Sequence, residues 1–272
     1  MIEFQKIDSF DLPELAPYRT MKRPLEHEQQ GIFVAEGVKV VRRLLESSFE
    51  IVSVVLPEKW VEEFRPLIGG RRENIQVYVV EKKGVLEALT GFSMFQGVMA
   101  VGKIPASHSL AEVLARSPQP RLFVAVDALT NAENLGALVR NCVAFGVQAL
   151  IVGETCSSPF LRRAVRNSMG TILQLPVVNS SNLVQSLGVL REHGIRCVAA
   201  HPHTDRKTLT KTDLARNCCI VFGSEGYGLS PAVLEACDDH AAIPMAAAVD
   251  SLNVGAAAAV FLYEASRQRG KM

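Results

Sequence analysis

The sequence predicts an α/β protein in two parts, a smaller α/β unit followed by a larger domain built on a parallel sheet. Three observations carry this expectation. From Leu122 onward, short and nearly continuous apolar runs alternate with helical patterns, and strands that apolar are buried on both faces, as in a parallel sheet. Ahead of them, a strand–helix–strand–helix–strand pattern fills the first hundred residues. Between the two lies a stretch rich in serine and proline (Ser107, Ser109, Ser117, Pro118 and Pro120) that has the composition of a linker. The expected organisation is therefore 1–106, linker 107–120, and 121–272.

In the first part, Gly31–Gly37 reads as a strand and Val38–Ser47 as a helix. Val38, Val41, Leu44 and Leu45 share one face of that helix, and Lys39, Arg42 and Arg43 share the other. Ile51–Leu56, Gln76–Val80 and Val98–Val101 read as further strands, and the residues up to Met21 as irregular. A short helix, Leu110–Ala115, falls in the linker. In the second part the strands read Leu122–Val126, Ala149–Val152, Cys197–Ala200, Ile220–Phe222 and Ala241–Ile243. The helices read Leu135–Phe145, Phe160–Ser168, Leu183–His193, Pro231–Cys237 and Val254–Arg267.

Composition excludes several classes. With 48% hydrophobic and 21% charged residues in 272, the chain has the apolar material for a core and is neither disordered nor fibrous. The net charge is +1, so a nucleic-acid surface must be a local patch. No apolar run reaches the ~20 residues that span a bilayer, and Met1–Lys6 lacks a charged-then-apolar leader pattern. The six cysteines form no C-x-x-C pair, which argues against zinc and for reduced core thiols in a cytoplasmic protein. His201-Pro202-His203 lacks a third ligand, so no metal is expected.

In doubly wound sheets, ligands lie beyond the carboxyl ends of the strands. Three segments stand there. The first strand leads into Asn134-Leu-Gly-Ala-Leu-Val-Arg140. Asn134 is placed to cap the following helix, and Arg140, beside apolar Ala137 and Val143, reads as partly enclosed. Arg140 is either a structural arginine or a guanidinium fork for a phosphate or carboxylate. The fourth strand leads into Gly223-Ser-Glu225-Gly226-Tyr-Gly228-Leu-Ser230-Pro231, a glycine loop closed by a capping Ser-Pro pair. This loop is either a ligand cradle or a tight turn. Its G-x-x-G-x-G spacing and late position disfavour a dinucleotide-binding oxidoreductase. The last strand leads into Ser251-Leu252-Asn253-Val254, with Ser251 the expected cap of an alanine-rich helix. Arg162, Arg163 and Arg166 share one helix and make either a solvated face or an RNA-phosphate patch.

Taken in order, these three segments resemble the three motifs of the SpoU/TrmH family of RNA ribose 2′-O-methyltransferases, in the SPOUT superfamily. The likeness runs from about Leu122 to Tyr263. The first part, with Phe33-Val-Ala-Glu36-Gly37 before a basic helix carrying Arg42 and Arg43, is similar to the RNA-binding domain that often precedes it. One departure is Ala132, where family members usually carry proline two residues before the asparagine. The resemblance implies a SPOUT-like deep trefoil knot in the second domain, S-adenosylmethionine as cofactor, RNA as substrate and a homodimer formed through the second domain. It implies cofactor contacts from Gly223, Ile243 and Leu252, with Ala199, Ala200, Gly226 and Gly228 nearby. It also implies a catalytic set of Asn134, Arg140, Glu225, Ser251 and Asn253, and a large-subunit rRNA target. Transfer RNA, or RNA binding without catalysis, are the alternatives.

Overall fold

The computed structural model describes residues 4–81, 97–202, 207–246 and 250–270. His203 lies outside them. The chain divides into two compact units: residues 1–106 with 160–173, and residues 107–159 with 174–272.

The first unit holds a five-stranded mixed sheet in the order β1 (Phe4–Ile7), β4 (Gln76–Val80), β3 (Ile51–Pro57), β5 (Met99–Lys103), β2 (Ile32–Glu36). β1, β4 and β3 run parallel, and β5 runs antiparallel to both β3 and β2. β1 lies in the stretch expected to be irregular; of its own four residues only Ile7 is buried, so the strand carries no alternating signal. Helices α1 (Ala16–Arg19) and α2 (Pro24–Gln29) follow it. Leu15 and Tyr18 pack with Val34, Val55, Tyr78, Met99 and Val101 in one core. The Tyr18 hydroxyl and Ser53 Oγ lie 2.8 Å apart, and burial pushes the Tyr18 phenol well up. Helix α3 (Val38–Glu46) buries Val38, Val41, Leu44 and Leu45, as its sequence period requires. Helix α4 (Val61–Gly69) follows β3.

The segment 160–173 departs from the expected organisation. Its helix was expected in the second domain, yet it packs in the first unit. The Phe160 ring lies 5.7 Å from Phe33 and 5.9 Å from Phe49. Glu36, at the buried end of β2, pairs with Arg162 and, at 3.3 Å, with Arg166. Arg43 donates to the Met169 carbonyl at 2.6 Å. A buried carboxylate needs such cations, and Phe160 adds ring contacts to both Phe33 and Phe49. Both interactions hold the segment to this unit.

The second unit begins with α5 (Leu110–Arg116), closed by a Ser109–Glu112 capping box. Its seven strands are all parallel, in the order β10 (Lys207–Thr208), β12 (Asp239–Ala242), β9 (Arg196–Ala200), β11 (Cys218–Phe222), β6 (Leu122–Val126), β7 (Ala149–Val152), β8 (Val177–Asn179). The helices are α6 (Ala132–Ala144), α8 (Leu183–Glu192), α9 (Pro231–Ala236) and α10 (Val254–Gln268), with α7 (Arg162–Asn167) belonging to the first unit. The chain winds outward from β6 through β7 to β8, then crosses to the far side and returns. β11 fills the place between β9 and β6, and β12 that between β10 and β9. The carboxyl ends of β9, β11 and β12 thereby become neighbours although their loops are far apart in sequence.

All six cysteines are free. Burial pushes the Cys142, Cys219 and Cys237 thiols well up and that of Cys218 to about 11, so they act as small apolar core groups. Among the described residues no helix is long and apolar enough to cross a membrane.

Candidate active site

A pocket of about 430 Å³ opens at the carboxyl ends of β9, β11 and β12. Its apolar wall includes Phe222, Ile243, Leu252, Val254 and Phe261, with the Phe222 and Phe261 rings edge to face at 5.6 Å. Its polar lining includes His201, Glu225, Asp250 and Ser251.

The glycine loop forms one side. Ser224 and Gly228 exchange two backbone hydrogen bonds of 3.0 Å, which closes the loop into a small hairpin. Gly223 sits against the returning strand of that hairpin, where a Cβ would lie 2.1 Å from the Gly228 carbonyl carbon. No side chain fits there, so glycine is a steric requirement. The following helix begins only at Pro231. Ser230 occupies the expected cap position, but it is the Ser230 N–H that is used, donating to Asp127 Oδ2 at 2.8 Å. This self-closed loop is unlike the strand-to-helix turn of a dinucleotide fold, where the loop opens directly onto a helix N-terminus.

Two expected caps move. Asn131, not Asn134, caps α6: its Oδ1 accepts from the Glu133 and Asn134 N–H groups at 2.9 and 3.1 Å. Asn253, not Ser251, caps α10, accepting from Gly255 N–H at 2.9 Å. The shift has a consequence. Asn134, one turn into the helix, is free of capping duty and bridges the other two segments. Its Nδ2 donates to Glu225 Oε1, and its Oδ1 accepts from Asn253 Nδ2 at 2.9 Å. The three motif segments thus meet in one chain, Glu225–Asn134–Asn253. Its geometry also fixes each amide's orientation, since each oxygen accepts and each nitrogen donates.

The approach of α10 to α6 makes this meeting close. A Cβ on Gly255 would lie 2.9 Å from Ala137 Cβ, and Asn141 Nδ2 donates to the Gly255 carbonyl at 2.7 Å. Neither Asn131, Asp127 nor Asn141 was singled out from the sequence. Asn131 carried a usable signal, since asparagine followed by Ala132 and Glu133 is also a cap pattern.

The remaining expected residues are distributed as follows. Ala200, Gly223, Gly226, Gly228, Ile243 and Leu252 line the pocket, whereas Ala199 is wholly buried inside β9 and does not. Ser251 lines it as well. Arg140 is exposed, not enclosed, and has no hydrogen bond or ion pair among the described residues. It lies six residues beyond Asn134, about 240° around α6 and about 9 Å along it. It therefore points away from the Asn134 bridge of its own chain. Arg162 is neither solvated nor free, since only 14% of its side chain is exposed and it is held by Glu36. Arg163 and Arg166 are exposed, Arg42 pairs with Glu63, and Arg43 holds the Met169 carbonyl. Among the described residues no cluster of His, Cys, Asp or Glu suits a metal ion.

A model of the SpoU rRNA Methylase family matches residues 121–263. The chain belongs to this family. It is an RNA methyltransferase by that membership, as its motifs led one to expect. An uncharacterised tRNA/rRNA methyltransferase of Mycobacterium bovis is 31% identical, over 98% of this chain and 93% of that protein. RlmB of Shewanella oneidensis, a 23S rRNA (guanosine-2′-O-)-methyltransferase, is 33% identical over 86% of this chain and 96% of its own length. Among solved structures, the SpoU methyltransferase AviRb of Streptomyces viridochromogenes, in complex with the cofactor AdoMet, superposes with a TM-score of 0.79. The identity is 26%, over 94% of this chain and all of that one. The α/β fold with a parallel sheet is therefore that of SpoU methyltransferases, and the oxidoreductase alternative falls away.

Proposed function

We propose that this SpoU-family enzyme transfers a methyl group from S-adenosylmethionine to a ribose 2′-hydroxyl of large-subunit rRNA. The observation that carries the reading is the Glu225–Asn134–Asn253 chain, which ties the three motif segments together beside the pocket. The similarity to RlmB supports the choice of 23S-type rRNA over tRNA.

The residues present fit the cofactor. A pocket of about 430 Å³ lies within the ordinary range for small-molecule sites. Its apolar wall suits a purine, and the Glu225 and Asp250 carboxylates suit a ligand that carries positive charge. Gly223, Gly226, Gly228, Ala200, Ile243 and Leu252 would hold it. When bound, the cofactor supplies an electrophilic methyl on a sulfonium. The ribose oxygen forms the new C–O bond, the C–S bond breaks with its electron pair going to sulfur, and the hydroxyl proton must leave. A guanidinium offers five N–H donors and no acceptor, so Arg140 is not assigned as the base. Arg140 instead grips the phosphate 3′ of the target nucleotide, aligns the 2′-oxygen and stabilises its developing charge. A phosphate oxygen or a water takes the proton. Ser251 hydrogen-bonds the ribose or its phosphate, while Asn134, Glu225 and Asn253 keep the site's walls in register.

Because Arg140 points away from its own Asn134, a second copy is part of this reading. The enzyme forms a homodimer through the second unit, where Val260 and Tyr263 are exposed on α10. Each active site lies near that interface. The C-terminal segment threads a loop to make the deep trefoil knot. What supports the knot is the insertion of β11 between β9 and β6 and the return of α10 onto α6. Arg163, Arg166, Arg42 and Arg43 belong to the RNA-facing side of the first unit. A cytoplasmic location is part of this reading, and the similarity to rRNA methyltransferases supports it.

The test is to map ribose methylation in rRNA and tRNA treated with purified protein and S-adenosylmethionine. A new 2′-O-methyl mark confined to rRNA is expected. Marks on tRNA alone would reassign the substrate, and no mark on either would leave an RNA-binding protein of the same fold.

A further inference from the structure

Tyr227 stands out among the exposed apolar side chains. It is 98% exposed, whereas among the described residues the next most exposed large hydrophobic side chain, Leu25, reaches 71%. Among the described residues its side chain has no hydrogen bond or ring contact. A single exposed aromatic is ordinary in itself. This one is different because of its support. It sits in the glycine hairpin at the edge of the pocket. Its own N–H donates to Ser224 Oγ at 3.3 Å, and the hairpin is closed by the Ser224–Gly228 pair. Glu225, two residues earlier, is held by Asn134. The backbone is fixed on both sides of Tyr227 while the ring is left wholly in solvent.

This arrangement is suited to a flat, apolar ligand group that arrives from outside. RNA sites that proteins recognise specifically are mostly single-stranded, with bases splayed out of the stack and laid against aromatic side chains. A fixed aromatic ring beside the pocket offers such a side chain. Any base has a π-face, so the contact positions RNA without reading its sequence. We propose that Tyr227 is a stacking platform for a nucleobase at the mouth of the pocket and so a positioning residue for the RNA. This rests on the pocket being the site of methyl transfer to RNA.

The experiment compares the full-length wild type with Y227A, Y227F and Y227W. It measures affinity for a single-stranded RNA oligomer by anisotropy, affinity for S-adenosylmethionine by calorimetry, oligomeric state by sedimentation, and methyl transfer to an rRNA transcript. Y227A is expected to weaken RNA binding and raise KM for RNA about tenfold or more. Its cofactor affinity and oligomeric state should match the wild type. Y227F and Y227W should restore RNA affinity to within about threefold. On an oligomer of abasic nucleotides the difference between wild type and Y227A should vanish. The proposal is overturned if Y227F is as impaired as Y227A, if the Y227A defect persists on abasic RNA, or if Y227A binds RNA normally. It is equally overturned if Y227A loses its cofactor or changes oligomeric state, which would make the ring a cofactor or subunit contact. Failure of the wild type to methylate any RNA would instead count against the catalytic reading, because the stacking contact is read by binding.

Discussion

At the residue scale, the site depends on which polar groups are spent and which are free. Asn134 can bridge Glu225 and Asn253 only because Asn131 satisfies the first N–H groups of α6. Arg140 is the opposite case, a cation with no partner among the described residues in its own chain. Replacing Arg140 with alanine is expected to lower kcat by a hundredfold or more while leaving S-adenosylmethionine affinity unchanged. Calorimetry and initial rates check the two parts separately. Arg140→Lys should recover little, because an ammonium cannot offer the two-pronged geometry of a guanidinium. A lysine variant of full activity whose pH optimum follows the lysine would instead make residue 140 the base. The choice of capping residue was within reach of the sequence. The bridge itself was not, because its two bonds span 91 and 119 residues.

At the scale of elements, the glycine loop and the last helix set the shape of the pocket. Gly223→Ala would drive a methyl into the Gly228 backbone, which cannot yield as a flexible side chain could. A lower melting temperature and at least tenfold weaker cofactor binding are expected. Gly226→Ala adds a methyl into open space at an ordinary φ, and its melting temperature should stay within a degree or two of wild type. Equal destabilisation by the two variants would sink this account of the loop. Helix α10 ends in a second electrostatic feature. The Arg267 guanidinium, 2.8 Å from Glu264, holds that carboxyl down from 4.5 to about 2, with help from Gln268 and against the effect of burial. A depressed carboxyl stabilises the fold when ionised. That contribution is complete above pH 4.5 and is lost as pH falls through about 2. Thermal melts of wild type and Glu264→Gln should therefore differ near neutrality and converge in strong acid. A difference that stays constant down to pH 2 would remove the ion pair as its cause.

At the scale of the whole molecule, the chain leaves the second unit at residue 160 and rejoins it at 174, having supplied a helix to the first. Glu36 and Arg162 lie 126 residues apart and are both largely buried, with 8% and 14% of their side chains exposed. Glu36→Gln leaves a guanidinium covered and unpaired, and a cost of about 3 kcal/mol to the first unit is expected. Calorimetry should show the loss in the transition of that unit, with cofactor affinity intact; equal loss from both units would mean that they unfold as one. The sequence by itself determined the α/β class, the parallel sheet of the second part, the three motif segments and the order in which they occur. Those follow from local signals: apolar runs, helical periods, and glycines and asparagines at strand ends. Tertiary structure alone decided that α7 joins the first unit, that Arg140 points outward, and that Asn134 is a bridge and not a cap. The reason is physical. Burial and hydrogen-bond pairing are satisfied in space between residues far apart in the chain, and a local pattern cannot say which distant partner will satisfy them.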